Sequence, residues 1–200
     1  YLGFVLYLIF GRPIYREKIF PFSDNEKIKY QQNLLKREMP YEITKNEQVI
    51  YKHRNLIELN FETDKSFLSK NNKIQIITDG KEKFRLLFED IKNAKSYIHI
   101  QYYILKKDGI GKQLFHLLEQ KLLEGVDVYI LYDDIGSRKL SISSLRSLTK
   151  NNAKIKRFFK SKLPLINFRM NYRNHRKIVT IDGNIGYTGG FNVGDEYLGL

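Results

Sequence analysis

Apolar positions along the middle of the chain recur with two different periods. In "KEKFRLLFEDIKNAK", residues 81–95, Phe84, Leu87, Phe88 and Ile91 fall at i, i+3, i+4 and i+7, the stripe of a helix packed on one side. The same period returns in "GKQLFHLLEQKLLEG" through Leu114, Leu118 and Leu122, and stops near Gly125. Between and after these stretches lie "YIHIQYYIL" (97–105) and "VDVYILYDD" (126–134), short runs rich in β-branched and aromatic residues that predict strands. "KIQIIT" (73–78) has the same character, ends in the turn signal Asp79-Gly80 and is expected to be the first strand of the domain. Strand, helix, strand, helix, strand at these lengths predicts parallel strands joined by crossovers, hence an α/β fold.

A hairpin closes the pattern. "KIVTI" (177–181) and "IGYTG" (185–189) flank Asp182-Gly183-Asn184, a tight-turn signature. Upstream of residue 71 the chain reads differently. Residues 21–70 are polar, with "NEKIKYQQNLLKRE" a plausible short helix and "NFETDKSFLSKNNK" (60–73) loop-like, together a connector. Residues 1–11, "YLGFVLYLIFG", carry no charge and are followed by Arg12, Arg16 and Lys18. A bilayer span takes about 20 apolar residues, so this run is either a buried core segment or the end of a transmembrane helix marked by a basic cytoplasmic flank. The expected organisation is therefore 1–20 the end of a transmembrane helix with a basic juxtamembrane stretch, 21–70 a polar connector and 71–200 the globular lobe, incomplete at its C-terminal end.

Charge sharpens this outline. Lys and Arg total 35 against 22 Asp and Glu, a formal charge of +13, which favours an anionic partner, either a nucleic acid or an anionic membrane surface. Residues 138–177 hold thirteen of these cations and no acidic residue, with Phe158, Phe159, Leu163, Leu165, Ile166, Phe168 and Tyr172 interleaved. Such a mixture fits a rim that meets phosphates and reaches toward acyl chains or bases; a plain solvated face is the alternative. The absence of cysteine excludes a disulfide framework and a thiolate metal site, and the four histidines show no HxxxH or HExxH spacing, so a metal-independent chemistry is expected.

The candidate chemistry sits in "NHRKIVTIDGNIGYTGGFN", residues 174–192. On an extended chain His175 and Lys177 point the same way, giving a nucleophile or base beside a fixed cation, a pairing suited to a negatively charged phosphorus centre. Asp182 has the opposite parity and should fix the turn or orient other groups. Gly189 and Gly190 permit close backbone approach, and Asn192 offers an amide to an oxygen. His53 reads as exposed, His99 and His116 as satisfied core or border groups, and none of the three as catalytic. Asp133, Asp134 and Ser137, at a strand end where α/β sites gather, shape the site rim or merely cap the turn.

His175-x-Lys177, four residues, Asp182, then Gly189-Gly190-x-Asn192 resembles the HxKxxxxD motif of the phospholipase D superfamily. "YIHIQYYIL", "EGVDVYILYDDIGS" and "GGFNVGDEYLG" further resemble bacterial cardiolipin synthases. The resemblance implies a phospholipase D-like lobe with a mixed, largely parallel sheet flanked by helices. Its catalytic residues would be His175, Lys177 and Asp182, its substrate-binding residues Gly190 and Asn192, and it would need no cofactor and no metal.

The implied reaction joins two phosphatidylglycerol molecules into cardiolipin and glycerol through a phosphohistidine. Imidazole suits the role because its ordinary pKa, about 6.5, leaves a free nitrogen at neutral pH, and a cation such as Lys177 stabilises the charge that builds in the transition state by about 3 to 4 kcal/mol. The implied partners are phosphatidylglycerol and an anionic cell-membrane surface on the cytoplasmic side, not nucleic acid. Members with this pattern carry two motifs. The second is therefore expected from a missing C-terminal half or a second subunit, and residues 1–200 alone are expected to be inactive. A nuclease using the same motif and a non-catalytic anionic-surface binding domain are the alternatives.

Overall fold

The computed structural model describes residues 1, 3–4, 52–64, 72–158 and 173–199. The chain divides into two compact units, residues 13–75 and residues 1–12 with 76–200. Most of the opening apolar run, all of "NEKIKYQQNLLKRE" and residues 159–172 of the basic window lie outside the described residues. No helix among the described residues is long and apolar enough to cross a membrane.

In the first unit, helix α1 spans Arg54–Asp64. It takes in residues 60–64, where the sequence predicts a loop. Polar side chains hide the period there, but local bonds carry the helix: Arg54 pairs with Glu58 one turn on, and the Thr63 hydroxyl donates to the Leu59 carbonyl at 2.8 Å.

The second unit is built on a five-stranded mixed sheet in the order β3-β2-β1-β4-β5. Its strands are β1 (Tyr97–Tyr102), β2 (Asp127–Asp133), β3 (Lys154–Phe158), β4 (Ile178–Ile181) and β5 (Ile185–Thr188). Strands β1, β2 and β3 run parallel, while β4 is antiparallel to β1 and β5 to β4. Helices α2 (Gly80–Asn93) and α3 (Gly109–Leu123) precede β1 and β2, and a 3-10 turn (Ile142–Leu145) with the short α4 (Arg146–Lys150) precedes β3.

Each element follows from its sequence. Asp79 caps α2 by accepting from the Glu82 amide at 2.8 Å, satisfying an amide the helix itself leaves open, and Phe84, Leu87 and Ile91 are buried as their period requires. Asp108 caps α3, whose Leu114 and Leu118 are fully buried. On β1, Ile98, Ile100 and Tyr102 are buried while His99 is exposed, and on β2 Val128, Ile130 and Tyr132 are buried. One face of the sheet therefore carries the core. On the other, Tyr97 and Tyr129 pack their rings against exposed His99, each at 4.7 Å between centroids.

"KIQIIT" departs from expectation. Residues 72–79 form no regular secondary structure, and Ile74 and Ile76 are 84% and 86% exposed. β-propensity describes how well a residue fits a half-buried pleated surface, and among the described residues the segment has no neighbouring strand to supply one.

Candidate functional site

Sheet topology brings four segments to one end of the sheet. Gln101, near the end of β1, lies opposite Ile178 at the start of β4, and Ile178 lies opposite Thr188 at the end of β5; Tyr102 pairs with Tyr132 near the end of β2. The residues that follow β1, β2 and β5, and those that precede β4, consequently meet at the carboxyl ends of the parallel strands, where open α/β sheets bind ligands.

His175 and Lys177 stand in the segment entering β4. The exposed His175 ring stacks on half-buried Tyr103, with centroids 3.9 Å apart and planes 18° from parallel. Lys177 Nζ lies 5.4 Å from the centroid of the same Tyr103 ring and donates to the His175 carbonyl at 2.7 Å. Imidazole and ammonium are thus gathered on one aromatic ring. An incoming phosphate oxygen would exchange a neutral carbonyl for a formal negative charge at Lys177, which strengthens a charge-assisted bond.

Behind them lies Asp133, fully buried at the end of β2. One carboxylate oxygen accepts from the amides of Ile135 (2.9 Å) and Gly136 (3.0 Å), the other from the Asn174 amide at 3.1 Å, and Arg173 lies 3.6 Å away as its ion-pair partner. One carboxylate therefore ties the loop after β2 to the residue before His175. Ser137 extends the tie, its hydroxyl donating to the Tyr103 carbonyl at 3.1 Å and accepting from the Leu105 amide at 2.9 Å. Asp134 turns aside to pair with Arg157 at 3.1 Å.

The remaining candidates take other places. Asn192 is 4% exposed: its oxygen accepts from the Ile104 amide at 3.0 Å and its nitrogen donates to the Tyr197 hydroxyl at 2.6 Å. The amide expected to meet substrate is spent bracing the segment after β1, since a buried amide must find partners. Gly190 is exposed, and among the described residues nothing lies within 4 Å of where its Cβ would be. Asp182 sits at the opposite end of β4, in the turn to β5, with φ +52. Its carboxylate accepts from the amides of Lys95, Ser96 and Tyr97 at 2.8 to 2.9 Å, and those bonds hold its pKa below the ordinary carboxylate value. It pins the hairpin to the start of β1 and lies outside the His175–Lys177 cluster.

Sequence reasoning passed over Tyr103 and Asp195. The parity of β1 buries Ile98, Ile100 and Tyr102 and so turns the next side chain elsewhere, a usable signal for Tyr103. Asp195 accepts from the Gly109 and Ile110 amides at 2.8 and 2.7 Å and so caps α3 from a distance, a pairing no local pattern announces. His99 and His116 are exposed away from the cluster. A further titratable group is Lys83, buried on α2 with Nζ 2.8 Å from the Tyr102 hydroxyl and 3.7 Å from the Phe84 ring centroid; burial pushes its pKa down to about 7. A groove of about 480 Å³ between α2 and α3, floored by Phe84, Phe88 and Ile110, includes none of the candidate residues. Among the described residues no three His, Asp or Glu side chains converge to hold a metal ion.

Residues 87–199 match the family described as "Cardiolipin synthase, PLD-like domain". The chain is 46% identical over 204 aligned positions to a cardiolipin synthase of Listeria monocytogenes serotype 4a, covering 98% of this chain and 42% of the relative, and 48% identical to cardiolipin synthase 2 of Staphylococcus epidermidis, covering 99% and 41%. It therefore spans about two fifths of the length of these relatives. Among solved structures, NucT of Helicobacter pylori aligns with 60% of this chain and 72% of its own at a TM-score of 0.45 and 18% identity. Nuc of Salmonella typhimurium, a phospholipase D family member, aligns with 56% and 66% at a TM-score of 0.42 and 21% identity. With a family match over more than half its length and an intact HxKxxxxD spacing, the chain belongs to the cardiolipin synthase family of phospholipase D-like proteins.

Proposed function

We propose that this chain carries one half of the active site of a phosphatidyltransferase that makes cardiolipin and glycerol from two phosphatidylglycerol molecules. The observation that carries the reading is the gathering of the His175 imidazole and the Lys177 ammonium on one ring at the carboxyl end of the parallel strands. An imidazole nitrogen of His175 attacks phosphorus, a phosphohistidine forms, and the first glycerol leaves with a proton. The terminal hydroxyl of a second phosphatidylglycerol then attacks phosphorus, releases the histidine and gives up its proton. Lys177 neutralises the phosphoryl oxygens as charge accumulates in both steps. Asp182 acts at a distance by holding the hairpin in register.

Protonating the leaving alkoxide takes an acid on the far side of phosphorus, and one His–Lys pair supplies only the near side. The second motif comes from a further segment of the protein or from a second copy. A supporting feature is the open sheet face around His99, because parallel strands are normally covered on both faces. The lobe works at the cell membrane, on the cytoplasmic side, where the exposed Lys154 and Lys156 of edge strand β3 attract anionic lipid.

The test is His175→Asn in the full-length enzyme, with cardiolipin formation measured in washed membranes. Loss of phosphatidyl transfer to less than about one part in a thousand, with the protein still folded and membrane-bound, is expected for a missing nucleophile. Cardiolipin formation near the parent rate would refute it, and cleavage of a generic phosphodiester in preference to phosphatidylglycerol would redirect the reading to a nuclease.

A further inference from the structure

We infer that Tyr103 is the positioning residue for the His175 imidazole, and that the loop after β2 exists in part to hold Tyr103 in place. The inference rests on the reading of His175 as the nucleophile. Among the described residues no hydrogen bond reaches the His175 ring, whose one ring contact is the face of Tyr103, 3.9 Å away and 18° from parallel. An exposed imidazole on a flexible Cβ would otherwise sample several rotamers. A near-parallel stack fixes the plane of the ring, and with it the line along which a ring nitrogen can approach phosphorus.

Tyr103 is itself held from three sides. Its carbonyl accepts from Ser137 Oγ, and its neighbours Ile104 and Leu105 donate their amides to Asn192 and Ser137. Gly136 lies against it so closely that a Cβ there would stand 2.3 Å from the Tyr103 carbonyl oxygen and 2.9 Å from two ring carbons. Only a residue without a side chain lets the loop press on the ring in this way. Asp133 completes the arrangement, because the carboxylate that accepts from Gly136 also accepts from Asn174. Nucleophile and stacking ring therefore hang from one buried group.

A stack between an exposed ring and a half-buried one adds little to stability, so its main consequence is orientation. The hydroxyl of Tyr103 has no part in that geometry and the aromatic face has all of it. Lys177, over the same ring, is placed by the same contact.

The experiment compares Tyr103→Phe, Tyr103→Leu and His175→Asn in the full-length enzyme, with kcat and KM measured on phosphatidylglycerol in mixed micelles. Histidine-bound phosphatidyl intermediate is trapped in an alkaline quench. Tyr103→Phe should keep kcat within about twofold. Tyr103→Leu should lower kcat by about 30-fold, within the range a misplaced reacting group costs. Its KM should stay within about twofold of the parent, and the trapped intermediate should form more slowly in proportion. A kcat for Tyr103→Leu close to the parent, beside an inactive His175→Asn, would overturn the positioning role and leave the nucleophile assignment standing. An active His175→Asn would remove the nucleophile assignment and the inference with it. Equal losses in Tyr103→Phe and Tyr103→Leu would overturn the stack by placing the effect in the hydroxyl. If Tyr103→Leu fails to accumulate, Gly136→Ala, which keeps Tyr103 but drives a methyl into it, decides: a fall in kcat at unchanged KM supports the inference, and an unchanged kcat overturns it.

Discussion

Asp133→Asn is the substitution from which the structure predicts the sharpest loss. Asp133 is fully buried, accepts three backbone amides and faces Arg173, whose side chain is itself only 8% exposed. Asparagine keeps the shape but removes the charge and presents an NH2 group to amides that are themselves donors. Breaking one partner out of a buried ion pair costs about 3 to 5 kcal/mol. Each hydrogen bond to a charged group is worth about 1.5 to 3 kcal/mol, and because these terms describe the same charge they overlap. A net loss of about 4 kcal/mol follows, a large share of the roughly 5 to 15 kcal/mol that holds a domain folded. The control is Asp134→Asn next door, where the pair with Arg157 is partly solvated at 17% and 28% exposure and should cost about 1 kcal/mol or less. Urea unfolding followed by far-UV circular dichroism reads both as shifts in midpoint at constant slope. Equal shifts for the two variants would refute the reasoning, as would full phosphatidyl transfer by folded Asp133→Asn, since Asp133 also holds the amide next to His175.

Lys83 and Asp182 make the pH dependence specific. Burial lowers the Lys83 pKa from 10.5 to about 7, so between those values the unfolded chain binds a proton that the folded chain does not, and stability rises with pH across that window. That displacement corresponds to a gain of about 5 kcal/mol as pH rises from about 7 to 10.5, which Lys83→Met should abolish; parallel pH profiles for the two proteins would count against it. Asp182 has a lowered pKa, so its contribution is present above its ordinary value of 3.8 and lost as pH falls through the folded value. Asp182→Ala should lower the unfolding midpoint at neutral pH and remove that acid-side slope, while reducing turnover by less than about tenfold because the carboxylate stands at the other end of β4 from His175 and Lys177; a loss as deep as that of His175→Asn in a folded protein would place it in the chemistry.

Much of the fold is legible in the sequence because burial in this lobe is periodic. Phe84, Leu87 and Ile91 mark α2, Leu114 and Leu118 mark α3, and Asp182-Gly183-Asn184 marks the hairpin, each by a local rule. Where the rules fail, the deciding contact is absent or distant. "KIQIIT" has the composition of a strand, but a strand needs a neighbour, and Ile74 and Ile76 stand in solvent. Strand β3 is hidden for the opposite reason: Lys154 and Lys156 alternate with half-buried Ile155 and Arg157, and lysines on an edge strand are how a sheet guards against pairing with another chain. At the site the same division holds. The spacing of His175 and Lys177 is visible in the sequence, whereas the stack on Tyr103 and the ties from Asp133 to Arg173 and Asn174 join residues far apart in the chain and only topology brings them together.

That topology also accounts for the length of the motif. Strand β4 runs antiparallel to β1, so its amino end meets the carboxyl ends of β1 and β2, and residues just ahead of β4 arrive at the sheet's ligand-binding edge although the strand points away from it. The residue just after β4 is then carried to the other edge. Four residues of strand span about 13 Å, too far for Asp182 to touch a group held between His175 and Lys177. What lies within its reach is the start of β1, where the amides of Lys95, Ser96 and Tyr97 converge on its carboxylate. Four residues between lysine and aspartate are the number that fills β4, from Ile178 to Ile181. The spacing thus measures a strand, with the His175–Lys177 pair at one end and, at the other, the carboxylate that ties the hairpin to the start of β1. Shortening β4 by one residue would reverse the faces of everything beyond it and draw Asp182 off the three amides even with His175 and Lys177 untouched.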